Sequence, residues 1–185
     1  MTFAAASREL HDFYILAGTG SATLVGLLFV GLSLHIHTVV AVPEVRSLAR
    51  FTLANFGAVL FAAMFLVIGA DPLTTGFQLI GIAAITILVV ASSAGNLFRG
   101  PLDLAVSRAD RIRIFARFGS SVVGYLGVAG AGVVLLLGQV QLFITFVEVS
   151  FVLLLVVALR NTWDLLVSVA EITIEDEGKE QPKQG

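Results

Sequence analysis

Residues 141–159 read QLFITFVEVSFVLLLVVAL, a run in which Glu148 is the one ionisable side chain. Coiled as an α-helix at 1.5 Å per residue, the run is about 28 Å long, close to the ~30 Å thickness of a bilayer's hydrocarbon core. Its apolar residues are continuous. A barrel strand would instead alternate apolar and polar positions over about ten residues. The stretch therefore predicts a membrane-spanning helix. It also places a carboxylic acid where a central charge costs about 2.5–3.5 kcal/mol on insertion scales.

Four further runs of the same kind precede it, at 13–35, 47–70, 77–98 and 118–137. The 185-residue chain is 57% hydrophobic with a mean hydropathy of +0.98, and only 13% of its residues are charged. Soluble domains carry about 25%, because their surface must meet water. The expected fold is an all-α membrane bundle of five spans in one domain, residues 1–174, followed by a disordered polar tail over 175–185 (EDEGKEQPKQG). The first run exceeds the roughly 7–15 apolar residues of a signal peptide and is expected to be retained. The stretch 165–174 has two readings, an extension of the fifth helix or a segment lying on the membrane surface.

Turn chemistry agrees with these limits. Pro43-Glu44 suits a first helical turn, where a missing N–H costs nothing and a carboxylate meets the positive dipole end. Asp71-Pro72 with Gly76 predicts a tight turn, Gly100-Pro101 a stop, and Gly138-Gln139 the last hairpin. Ser107 and Asp110 resemble a capping box, which would start the fourth helix near Arg108.

Five spans put Arg46, Arg50, Arg99, Arg108, Arg111, Arg113, Arg117, Arg160, Lys179 and Lys183 on one side and Arg8 alone on the other. By the positive-inside bias the N-terminus is expected outside and the C-terminus in the cytoplasm. Arg108, Arg111, Arg113 and Arg117 are expected to meet anionic lipid headgroups. A net charge of −2 and a pI near 5.9 give no global field for nucleic acid. With no cysteine, disulfides, thiolate nucleophiles and iron–sulfur ligation are excluded.

Two small-residue seams predict close helix packing, which lipid does not otherwise drive. Gly18, Ala22 and Gly26 step along the first helix. Gly124, Gly127 and Ala131, with Ser120, step along the fourth. Each seam can join helices of one chain or join two chains, and a homo-oligomer is expected.

Glu148 is the one Asp, Glu, Lys or Arg that does not fall in a loop, a tail or near a helix end. It stands about eight residues, or roughly 10–12 Å, below the outer end of its helix. There it must be protonated, hydrogen-bonded or in contact with water. Counting depth from the same side brings Ser21, Thr23 and Thr86 to its level as candidate partners. Asn55, Ser92, Asn96 and Arg50 are candidates for a polar vestibule on the cytoplasmic side. The bland reading makes Glu148 helix glue; the functional one makes it an ion-binding or proton-accepting group. His35 and His37 diverge by about 200° on a helix and suit interfacial capping better than a shared metal. No H-E-x-x-H, G-x-S-x-G or G-x-x-x-x-G-K-[ST] pattern occurs. The expectation is a protein without catalytic residues, metal or cofactor. It would be an oligomeric ion or small-solute pathway, or an accessory subunit binding another membrane protein.

The stretch His11-Asp-Phe-Tyr14 followed by Gly18 and by Gly26-Leu-Leu-Phe-Val-Gly-Leu-Ser33 resembles small bacterial multi-pass membrane proteins of unassigned function. The resemblance covers the first helix. It implies a bacterial inner-membrane location and brings no mechanism with it.

Overall fold

The protein is seen in a computed structural model, which describes residues 2–69, 71–98 and 108–180, without the side chains of 38, 44, 93–98, 108–118, 171 and 173–180. The described residues form seven helices: α1 (Phe3–Glu9), α2 (His11–Leu34), α3 (Ile36–Ala41), α4 (Pro43–Ile68), α5 (Pro72–Phe98), α6 (Arg108–Leu136) and α7 (Val140–Glu180). Five of them, α2 and α4 to α7, are long and apolar enough to cross a membrane. The protein is thus all-helical and built as a multi-pass membrane protein.

Helix limits follow local chemistry. Pro43 opens α4 after an extended Val42, and Gly69 closes it in the left-handed region at φ 63°. Asp71 then caps α5: its carboxylate accepts from the Thr74 N–H at 3.1 Å and the Thr74 hydroxyl at 2.6 Å. These bonds favour the ionised form and hold the Asp71 carboxyl below the usual carboxylate range. α6 ends in a Schellman motif. Gly138, at φ 76°, donates to Leu135 O and Gln139 donates to Val134 O. Gly76, expected in a turn, lies inside α5. A methyl group there would stand 2.8 Å from Leu136, so Gly76 serves close packing of α5 on α6.

α4, α5, α6 and α7 form a ring in which each helix packs on the next and α7 returns to α4. α2 lies outside this ring against α4, with a lighter contact to α7. Burial reports the difference: 50% of the apolar window of α4 is buried, against 22% for α2. The turns near Gly69 and Gly138 define a hairpin end of the bundle, and Arg46, Arg50 and Arg160 lie toward the opposite, arginine end.

The seam on α6 joins helices of one chain. A Cβ at Gly124 would stand 2.6 Å from Leu154, one at Gly127 would overlap Ser150 Oγ, and one at Gly130 would meet Phe146 at 3.0 Å. Ala131 is buried beside them. On α2 the seam divides. Gly18 meets Ala63 of α4 closely, while Ala22 and Gly26 are exposed.

The fifth span differs from the first expectation. α7 is one continuous helix of 41 residues, so 165–174 extend it. It also runs through 175–180, which composition assigned to a disordered tail. Glu and Lys are good helix formers, and extending an existing helix avoids the cost of nucleating a new one. Residues 181–185, the Gly100-Pro101 stop and Ser107 of the capping box lie outside the described residues.

Candidate functional site

Glu148 lies on α7 between Phe143 and Phe151. Each ring is met by an aromatic from the N-terminal segment. Phe3 approaches Phe143 with ring centroids 5.8 Å apart, and Phe13 stacks on Phe151 at 6.1 Å. α1 and α2 thus cover the part of α7 that carries the acid, which is half-buried. The Tyr14 hydroxyl is within electrostatic reach of Glu148. The two are not hydrogen-bonded, because Tyr14 Oη has no partner among the described residues.

These contacts fix the relative heights of the helices. α2 and α7 run parallel, since Phe13 meets Phe151 and the position of Gly31 meets Leu166. Glu148, three residues before Phe151, is about 4.5 Å toward the hairpin end of that pair. Ser21, eight residues beyond Phe13, is about 12 Å the other way. Some 16 Å along the axis separates them, so Ser21 and the still deeper Thr23 are not at the level of Glu148. Thr23 is exposed and its hydroxyl donates to Thr19 O at 2.9 Å. Thr86 is on α5, which is not a packing neighbour of α7; its hydroxyl donates to Ile82 O at 2.8 Å. The expected set of Glu148 with Ser21, Thr23 and Thr86 is not brought together. Depth counting assumed that the helices start in one plane, whereas α1 carries the first helix about ten residues higher.

Of the expected vestibule, Asn55, Arg50 and Ser92 are not brought together. Asn55 is fully buried and bonded across the ring to α6: it donates to Ser121 Oγ at 3.1 Å and accepts from the Tyr125 hydroxyl. Arg50 is exposed on the α4–α5 surface, and Ser92 is exposed and donates to Val89 O at 2.8 Å. The side chains of Asn96, Arg108, Arg111, Arg113 and Arg117 lie outside the described residues. His35 ends α2, with Nδ1 3.3 Å from Gly31 O, and His37 is exposed.

What sequence reasoning missed is a file of buried polar groups below Glu148. Tyr14 and Ser21 sit seven residues apart on the buried stripe of α2, both fully buried, and neither hydroxyl has a partner among the described residues. Asn161 of α7 is 1% exposed, and neither end of its amide is bonded. It lies ten residues beyond Phe151, about 15 Å, and so within about 3 Å of the height of Ser21. One turn further on, Leu165 closes the file in an apolar cluster with Leu28, Val45 and Ala49. More than 90% of buried polar groups in proteins are hydrogen-bonded, and those left over signal bound water, an ion or a function. The spacing of Tyr14 and Ser21 was legible as a helical stripe, but hydroxyls on such a stripe usually bond their own backbone, as Thr23 and Thr86 do.

Among the described residues no three His, Cys, Asp or Glu side chains converge as a metal site. The molecule is thus a five-span helical membrane protein with three buried, unsatisfied polar side chains, Tyr14, Ser21 and Asn161, at levels below a half-buried acid. No protein-family model matches the chain, and neither a curated protein nor a solved structure matches it.

Proposed function

We propose that this protein is a non-enzymatic pathway for protons or a small cation in a bacterial inner membrane, with Glu148 as the group that receives the permeant species. The observation that carries the reading is the set Tyr14, Ser21 and Asn161, buried and unbonded among the described residues, at levels below a half-buried carboxylate. Polar groups of this kind recruit water when the site is polar and roomy enough, and a chain of water and hydroxyls conducts protons or steps a cation between oxygens. Arg8 is the single Lys or Arg expected at the hairpin end, so that end is assigned to the outside by the positive-inside bias. Entry is then from outside, and the cluster of Leu28, Val45, Ala49 and Leu165 is the apolar barrier to be opened toward the cytoplasm. Because α1 and α2 of its own chain cover Glu148, the path we propose runs within one chain and not through a ring of Glu148 copies. A homo-oligomer would then be an assembly of separate paths.

The test is flux into liposomes holding the purified protein, driven by a pH or a potassium gradient. Glu148→Gln is expected to lower the rate at least tenfold while leaving the fold intact by circular dichroism. Unchanged flux in that variant, or no flux from the parent protein under either gradient, removes the pathway.

A second reading has its own support. Ala22 and Gly26 leave small residues exposed on α2, the least buried of the five spans, where a helix of another membrane protein could approach closely. An accessory subunit of this kind would carry no flux alone and would lose its partner on Gly26→Leu.

A further inference from the structure

A groove of about 500 Å³ runs between α4 and α5 on the face remote from Glu148. One wall is α4, with Arg50, Ala54, Gly57 and Phe61 at successive turns. The other is α5, with Ile85 and Val89. The single hydroxyl in it, that of Thr86, is already bonded to its own backbone, so the groove is apolar except at one end. That end is Arg50, which is exposed.

From Arg50 to Phe61 is eleven residues, about 16 Å at 1.5 Å per residue. This is about half the ~30 Å hydrocarbon thickness, or one leaflet. The groove therefore starts at a cation near the membrane surface and ends at mid-bilayer, which are the proportions of one lipid chain below its headgroup. Its depth comes from small residues: a Cβ at Gly57 would meet nothing within 4 Å. The volume lies in the range of roughly 300–1,000 Å³ usual for small-molecule sites.

We propose that this groove is a binding site for an anionic phospholipid of the leaflet at the arginine end. One acyl chain lies along Ala54, Gly57 and Phe61, and the phosphodiester is held by the Arg50 guanidinium. The guanidinium suits the task because its planar fork of donors matches phosphate oxygens and it stays charged at any working pH. A zwitterionic lipid fits the same apolar wall, but its headgroup carries a cation of its own beside the arginine. The site favours net negative lipid by about fivefold, as expected for one basic residue near the surface. It is independent of the pathway, so either can fail without the other.

The experiment is native mass spectrometry of the full chain in neutral detergent, titrated with phosphatidylglycerol or phosphatidylcholine of identical chains. The parent protein is expected to retain phosphatidylglycerol at least fivefold better. Arg50→Gln should lower the preference about fivefold relative to the parent, and Arg50→Lys should lower it less. Gly57→Leu, which fills open space and should leave thermal unfolding in detergent unchanged, should lower retention of both lipids. Equal retention of the two lipids by the parent overturns the proposal. So does an anionic preference unchanged by Arg50→Gln, which would belong to arginines elsewhere. Loss of preference in Arg50→Gln with full retention in Gly57→Leu would mean a headgroup contact without a groove, and a second copy of the chain in place of lipid would mean an interface. Either result also overturns it.

Discussion

The same three residue types occur twice in the buried parts of this protein, with opposite fates. Asn55, Ser121 and Tyr125 join α4 to α6 across the ring, the tyrosine hydroxyl and the serine oxygen both bonded to the one amide. Tyr14 and Ser21 on α2 and Asn161 on α7 are as deeply buried, and none of their side-chain polar atoms is bonded among the described residues. Burial therefore does not separate the two sets; satisfaction does. The ring places α4 and α6 on a diagonal, where Asn55 and Tyr125 are long enough to reach each other over the centre. α2 lies outside the ring and offers α7 only a light contact, so Ser21 and Asn161 share a height without a bond. The first set fixes helix positions. The second leaves room for something that is not protein.

Unfolding in mixed micelles by added dodecyl sulfate should separate the sets most widely at the two asparagines. Asn55→Leu leaves the Tyr125 and Ser121 hydroxyls buried without the amide, and is expected to cost about 2–3 kcal/mol from two lost bonds and their desolvation. Asn161→Leu replaces an unbonded amide by an apolar group of similar size, and should leave stability within about 0.5 kcal/mol or raise it. Equal losses would show that Asn161 is bonded in the membrane and would remove the distinction. The pathway adds a second expectation for this variant, a flux lowered several-fold without a stability loss.

The tyrosines give a finer version. Tyr125→Phe should cost about 1 kcal/mol, the worth of one buried hydrogen bond, and Tyr14→Phe close to nothing. The same holds for Ser121→Ala against Ser21→Ala, at a few tenths of a kcal/mol for the bonded serine. If Tyr14→Phe proved as costly as Tyr125→Phe, the Tyr14 hydroxyl would have a partner in the folded protein and the file would lose its second member.

The spans and their punctuation were legible in the sequence because they depend on local rules: continuous apolar runs, Pro43 at a start, Asp71-Pro72 in a turn, Gly138 past an end. Gly76 was misread for the same reason, since a glycine near a turn and a glycine facing a neighbouring helix look alike until Leu136 is placed against it. Glu148 stood out because one acid in an apolar run needs no partner to be noticed. Its surroundings did not, because they depend on how far α1 extends the first helix and on which helices are diagonal. Asn55 was visible as a buried polar residue, but its bonds to residues 66 and 70 positions away were not. Asn161 drew no attention in the sequence, because it stands just beyond the expected end of the fifth span at residue 159.

Asp71 supplies the smallest effect and a control on the comparison, since it is bonded like Asn55 but stands in water. Its folded carboxyl titrates below the usual range because Thr74 donates to it twice, while in the unfolded chain it returns to about 3.9. A depressed folded value means that the ionised cap favours folding above about pH 4, and that this contribution is lost as the pH falls through the lower folded value. The unfolding midpoint of the parent protein should therefore decline between pH 5 and pH 3. Asp71→Asn, which keeps a capping side chain without a charge, should show a shallower decline over that interval and little difference at pH 7. Parallel declines would place the acid sensitivity in other carboxylates. A difference at pH 7 as large as that of Asn55→Leu would contradict the rule that separates the two asparagines, because water can replace the bonds of an exposed cap and cannot reach those at the centre of the ring.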